Sequence, residues 1–142
     1  MADAIKPSHT AELRCTIVTP EQTVLETTAE FVALPLFDGE VGIAPLHSPM
    51  IGRLGYGELR IRSRGVLSRY YVDGGFVQVL DNVVSVLTNR AMPAEQLRTD
   101  VAGQLLQTAM ARKASGDEEI AIRNRMITQA RAQLRVARQT GS

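Results

Sequence analysis

Tryptophan is absent, cysteine occurs once, and three tyrosines with three phenylalanines are the only aromatic residues in 142. The lone Cys15 excludes an intrachain disulfide and fits a reducing compartment. Its place in an alternating apolar run reads as a small buried hydrophobe rather than a reactive thiol. Two histidines and one cysteine offer no metal-ligand spacing, and neither a Walker-type phosphate loop nor a dinucleotide fingerprint is present. Ser48, His47 and Glu40 coexist, but a serine adjacent to a histidine on a tight loop does not reach relay geometry, and no oxyanion signature accompanies them. No catalytic residue, metal ligand or cofactor site is therefore expected, and the chain is not expected to be an enzyme. The longest apolar run, residues 31–37, contains Pro35 and is far too short to span a bilayer. Residues 1–10 hold no apolar stretch of the kind a secretory signal needs, so the chain is expected to stay where it is made.

Net charge is only +1, which excludes a polyanion binder acting through its whole surface. The distribution is uneven. Arg53, Arg60, Arg62, Arg64 and Arg69 fall within residues 52–70 against the single acid Glu58, and Arg123, Arg125, Arg131, Arg135 and Arg138 follow residue 119 with no acid at all. Solvated helices ordinarily mix signs to gain i, i+4 pairs, so an all-basic tail implies an acidic partner. Arg131, Arg135 and Arg138 fall within about 60° of arc on a helix, beside an apolar stripe, as half of an interface would.

From Ala11 to Thr88 the hydrophobic period is two. Leu13, Cys15 and Ile17 alternate with Arg14, Thr16 and Val18, and in residues 58–62 Leu59 and Ile61 alternate with three charges. Turn signals fall at Pro20-Glu21, Asp38-Gly39, Gly55-Tyr56-Gly57, Gly65, Gly74-Gly75 and Asp81-Asn82, the last of which predicts a tight two-residue hairpin. Short strands at spacings of about 8–12 residues predict a sandwich or barrel.

At Met92-Pro93 the period changes to that of a helix. Pro93 suits a first helical position with Glu95 in the first turn, and Leu97, Val101, Leu105 and Ala109 follow along one ridge. Ala114-Ser115-Gly116 breaks the helix, and Ser115 to Glu118 has the form of a capping box opening a second one. Ile120, Ile127, Ala130, Leu134 and Ala137 mark its apolar stripe. The expected architecture is β + α: an N-terminal antiparallel β-sandwich over residues 1–91, then a C-terminal antiparallel two-helix hairpin over residues 92–142, stable only when docked.

The densest cluster of turn residues is Gly39-Glu40-Val41-Gly42-Ile43-Ala44-Pro45-Leu46-His47-Ser48-Pro49, a folded loop holding Glu40 and His47 at the rim of the β domain. This segment resembles the G-E-[LM]-G-x-x-P-G-H-x-P loop of the epsilon subunit of F-type ATP synthases. Tyr71-Val72-Asp73-Gly74-Gly75-Phe76 with residues 83–87 resembles the same family's glycine-pair strands, and residues 130–136 resemble its last helix. The resemblance covers nearly the full length.

It implies a non-catalytic rotor-stalk subunit, peripheral on the cytoplasmic side of a bacterial plasma membrane, without direct lipid insertion. Its implied partners are the gamma subunit, the membrane c-ring and, when the hairpin extends and restrains ATP hydrolysis, the beta and alpha subunits of the catalytic head. By resemblance Glu40, Gly42 and His47 stand at the c-ring contact, and Arg131, Arg135 and Arg138 face an acidic loop of the head. Two features depart from the family. Leu46 stands where glycine is common, so the turn before His47 is not expected to use a positive φ. Leu97-Arg98-Thr99-Asp100-Val101-Ala102 lacks the aspartate and arginine of the [IL]-D-x-x-R-A box through which some relatives bind ATP, so nucleotide sensing is not expected. The alternative reading is a small β module binding nucleic acid through Arg60, Arg62 and Arg64. The scarcity of aromatic stacking platforms argues against it.

Overall fold

A computed structural model describes residues 12–139, so the expectation for residues 1–10 lies outside the described residues. Eight strands come first: β1 Leu13–Val18, β2 Thr23–Ala29, β3 Phe31–Leu36, β4 Gly39–Ile43, β5 Met50–Ser63, β6 Val66–Leu80, β7 Val83–Leu87 and β8 Ala91–Pro93. A 3-10 turn, Ala94–Gln96, leads to α1 Thr99–Ala111 and α2 Asp117–Gln139. Strands run in the order β2-β1-β7-β6-β5-β3-β4, with β8 added on β6. All pairings are antiparallel except β1 with β7, which run parallel. No hairpin constrains these two strands, because the chain visits five others between them.

The period-two reading of β1 holds: Leu13, Cys15 and Ile17 are fully buried while Arg14 is exposed. Burial pushes the Cys15 thiol up to about 12, which keeps it protonated and inert. Leu59 and Ile61 also face the core, together with Leu34, Val77, Val79, Val84 and Val86. The hairpin at Asp81-Asn82 is as expected, with both residues at positive φ (51° and 63°), and Arg64-Gly65 (53° and 78°) turns β5 into β6 in the same way.

The glycine pairs do something else. Gly55, Tyr56 and Gly57 lie inside β5, and Gly74 and Gly75 lie inside β6, so the expected turns there are absent. In β5 the inward residues are Met50, Gly52 and Leu54 before the glycines and Gly57, Leu59 and Ile61 after them, a change of parity. In β6 Tyr70 and Val72 reach the main core before Gly74-Gly75, and Val77 and Val79 after. The parity of the two longest strands therefore switches at neighbouring points of their ladder (Leu54 pairs Gly75, Tyr56 pairs Asp73), and both halves serve one core. Gly75 is required for a second reason: a Cβ there would stand 2.0 Å from the Leu87 carbonyl oxygen.

The helical segment also departs from expectation. Pro93 ends β8 and precedes the 3-10 turn, and α1 begins only at Thr99. Asp100 in its first turn accepts from the Arg98 guanidinium at 2.9 Å and from the Val101 N–H at 2.8 Å, which together hold its carboxyl below the usual range. Val101 and Leu105 of the expected ridge are half exposed, whereas Ala102 and Ala109 are buried. The cap of α2 is shifted by one residue from the expected box: Glu119, not Glu118, accepts from the Ser115 N–H at 3.0 Å. On α2, Ala130 and Ala137 are buried as expected, Ile120 is exposed, and a second buried set, Ala132, Gln133 and Val136, joins it. α1 packs on α2, and α2 lies on β5, β6 and the 3-10 turn. The tail arginines do not all serve one purpose, since Arg123 donates to the Met110 carbonyl at 2.9 Å and satisfies the C-terminal end of α1.

Candidate docking surfaces

The loop after β4 is built on a turn with an unusual occupant. Ala44 O accepts from the His47 N–H at 3.1 Å, closing a four-residue turn with Pro45 and Leu46 at its centre. Pro45 supplies the fixed φ of the first central position, and Leu46 takes φ 70°, the left-handed value that a type II turn demands and glycine ordinarily provides. The expectation that leucine would abolish the positive φ is thus incorrect. What enforces it is Asn82, whose Oδ1 accepts from the Leu46 N–H at 2.7 Å, tying the loop to the β6–β7 hairpin. His47 lies partly buried beyond this turn, with Nδ1 2.7 Å from the Ser48 carbonyl oxygen. A carbonyl can only accept, so Nδ1 carries the hydrogen and Nε2 is the acceptor of the neutral ring.

Glu40 is held elsewhere. It sits on β4, the terminal strand of the sheet path, and its carboxylate meets the Arg60 guanidinium at 2.9 Å across β3. Arg60 also meets Glu58 at 3.2 Å, and Glu58 pairs with Arg69. These carboxylates, Glu40 foremost, raise Arg60 above its ordinary range against the opposing effect of burial. Two of the five arginines in residues 52–70 are thereby committed to acids, and no continuous free strip of Arg60, Arg62 and Arg64 exists for a phosphate backbone. Gly42, the third rim residue, is exposed but lies beside the Phe31 ring, which a Cβ would meet at 2.7 Å.

Glu40 and Arg135 line one cleft of about 310 Å³ between the sandwich and the end of α2, together with Tyr56, Arg60 and Gln139. Two candidate groups far apart in sequence are thus neighbours, while Glu40 and His47 depend on different partners. Arg131, Arg135 and Arg138 all lie on α2, and all three are exposed.

A larger feature was not anticipated from the sequence. Cross-strand neighbours Arg53, Phe76, Leu87 and Val18 form one row on the outer face of the sheet, continued by Phe37 at the β3–β4 turn. Phe37 (69% exposed), Phe76 (59%) and Leu87 (54%) are the bare apolar members. The Arg53 guanidinium lies 4.7 Å from the Phe37 ring centre, a cation–π contact. A depression of about 710 Å³ runs along this row, between Thr19, Tyr56 and Asn89. The signal was present as period-two residues on the side opposite Val77 and Val79, but it becomes a row only once the strand order is known.

Residues 12–94 match the model of the ATP synthase Delta/Epsilon chain beta-sandwich domain. The ATP synthase epsilon chain of Rhodopirellula baltica is 49% identical over 126 residues, spanning 89% of this chain and 98% of that protein. The epsilon chain of Symbiobacterium thermophilum is 39% identical over 125 residues, spanning 82% and 90%. Among solved structures, a chain of the Euglena gracilis mitochondrial ATP synthase OSCP/F1/c-ring assembly superposes with a TM-score of 0.76 at 24% identity, covering 92% of this chain and 82% of that one. A chain of the Tetrahymena thermophila mitochondrial ATP synthase central stalk/c-ring gives 0.71 at 15%, covering 90% and 99%. These two show the shared fold, and the family match with the closer sequence relatives shows the lineage: the chain belongs to the epsilon-chain family of ATP synthases, a non-catalytic subunit of the central stalk.

Proposed function

We propose that this subunit links the gamma stalk to the membrane c-ring and so helps couple proton translocation to ATP synthesis, while its hairpin restrains ATP hydrolysis when it leaves the sandwich for the catalytic head. The observation that carries the reading is the bare row of Phe37, Arg53, Phe76 and Leu87. Apolar groups gathered in this way on a sheet face mark a protein contact, and gamma is the occupant proposed for it. Glu40 and His47 suit a polar contact to the loops of the c-ring, one as a half-exposed carboxylate and the other through Nε2, and Gly42 lies between them in sequence. No helix among the described residues is long and apolar enough to cross a membrane, and the subunit is proposed to sit peripherally on the cytoplasmic side of a bacterial plasma membrane.

The test is functional. Replacing Glu40 and His47 together by alanine is expected to change stability by less than about 1 kcal/mol, because both are surface contacts. The same change in a reconstituted complex is expected to weaken proton pumping relative to ATP turnover. Full coupling in the double variant would refute the c-ring contact. Reversing Arg131, Arg135 and Arg138 to glutamate is expected to raise ATP hydrolysis with assembly intact, and inhibition by the unaltered tail is expected to fall as ionic strength rises. If truncation of the hairpin activates hydrolysis but charge reversal does not, the arginines are a solvated face only.

A further inference from the structure

The hairpin meets the sandwich at a buried polar cluster that none of the functions above uses. Tyr71 and Asp73 lie on the face of β6 turned toward α2, where Tyr71 is fully buried and Asp73 and Gln133 are 8% and 7% exposed. The Asp73 carboxylate accepts at Oδ1 from the Tyr71 hydroxyl (3.1 Å) and from Gln129 Nε2 (3.0 Å), and at Oδ2 from the same nitrogen (3.1 Å). Gln133, one helical turn on, is hydrogen-bonded to the Tyr71 hydroxyl. The strand presents this carboxylate rigidly, since the Asp73 N–H is bonded to Thr88 Oγ1 at 3.0 Å and to the Arg90 carbonyl at 3.1 Å.

The apolar contact around the cluster is shallow. Its buried members besides Tyr71 are Ala94, Ala132 and Val136, with Tyr56, Met92 and Leu97 partly covered. Small side chains permit a close approach but project little into the sheet, so by themselves they select a register weakly. The carboxylate does select. A slide of one residue turns Gln129 by about 100° and leaves a covered charge without its amide donor.

We propose that Asp73 and Gln129, with Tyr71 and Gln133 in support, form a polar latch that fixes the register and occupancy of the hairpin on the sandwich. Asp73 is a positioning residue, and its partner is the second helix of this chain. On release, water replaces the lost donors at an open strand face, so the latch opens without leaving a buried charge. Its consequence for hydrolysis rests on the function proposed above, but docking itself is measured on the isolated full-length chain, so the two can fail separately.

The test is hydrogen–deuterium exchange of the full chain carrying Gln129→Ala, Asp73→Ala, both together, or Asp73→Asn. Gln129→Ala leaves the sandwich sequence untouched. It is expected to speed exchange over residues 126–137 by about tenfold, the loss of one charge-assisted hydrogen bond, while β1 and β5 stay protected. The double variant is expected to be no more exposed than the worse single, and Asp73→Asn, which keeps an acceptor oxygen, to retain most of the protection. Unchanged exchange over 126–137 in Gln129→Ala would overturn the proposal. So would multiplicative effects in the double variant, or an equal loss of protection in β1 and β5.

Discussion

Leu46 shows how a residue and its setting can disagree and still coexist. A branched side chain at φ 70° is strained by about 1–2 kcal/mol, and it persists because Pro45 fixes one side of the turn and Asn82 grips the Leu46 N–H on the other. Leu46 is 81% exposed, so its side chain contributes little packing to set against that strain. Leu46→Gly is therefore expected to stabilise the chain by about 0.5–1 kcal/mol once the larger unfolded-state entropy of glycine is deducted. Chemical denaturation with an unchanged slope is the measurement, and a loss of stability would mean that Leu46 packs in a way its exposure does not indicate. At the opposite extreme, Cys15 is fully buried with its thiol pushed up to about 12. It is expected to resist a thiol reagent at pH 8 in the folded protein and to react after denaturation. Rapid labelling of the native chain would contradict its burial in β1.

At the scale of elements, glycines divide by what surrounds them. Gly75 has φ 111° and the Leu87 carbonyl in the space its side chain would need, so Gly75→Ala is expected to destabilise by at least about 3 kcal/mol. Gly103, inside α1, has open space where a Cβ would stand, with nothing within 4 Å, and Gly103→Ala is expected to stabilise by about 0.5–1 kcal/mol through helix propensity. Thermal melts of the two variants check both, and equal effects of the same sign would refute the division.

The same contrast explains what was legible beforehand. Alternation in β1, the Asp81-Asn82 turn and the existence of two helices depend on near neighbours and can be read directly. A glycine pair inside a long strand has the same local composition as a glycine turn, and only the pairing of β5 with β6 tells them apart. Pro93 and Glu95 serve a 3-10 turn as well as a helix start. The Val101–Leu105 ridge has true helical spacing, but which face of α1 is covered is decided by α2. Glu40 with Arg60, and Asp73 with Gln129, are contacts across distant parts of the chain that no short-range pattern announces.

Taken whole, the described residues build a main hydrophobic core, a hairpin resting on one side of it and an uncovered apolar row on the outer face of the sheet. The division at residue 91 stands as a proposal, and β8, which begins at Ala91 and pairs with β6, bears on where a cut is tolerated. A chain ending at residue 96 is expected to fold cooperatively with β-type circular dichroism and to melt above one ending at residue 91, which lacks most of the β8 ladder. Failure of both to fold would make the hairpin an integral part of the domain. The central claim is that this subunit joins gamma to the c-ring, and cross-linking mass spectrometry tests it most directly on ATP synthase captured from membranes through a tag on this chain. The account predicts gamma cross-linked around Phe37, Phe76 and Leu87, and the polar loop of the c subunit cross-linked within residues 40–48. Capture of the chain without gamma and c subunits, or c-subunit cross-links confined to other faces, would contradict it.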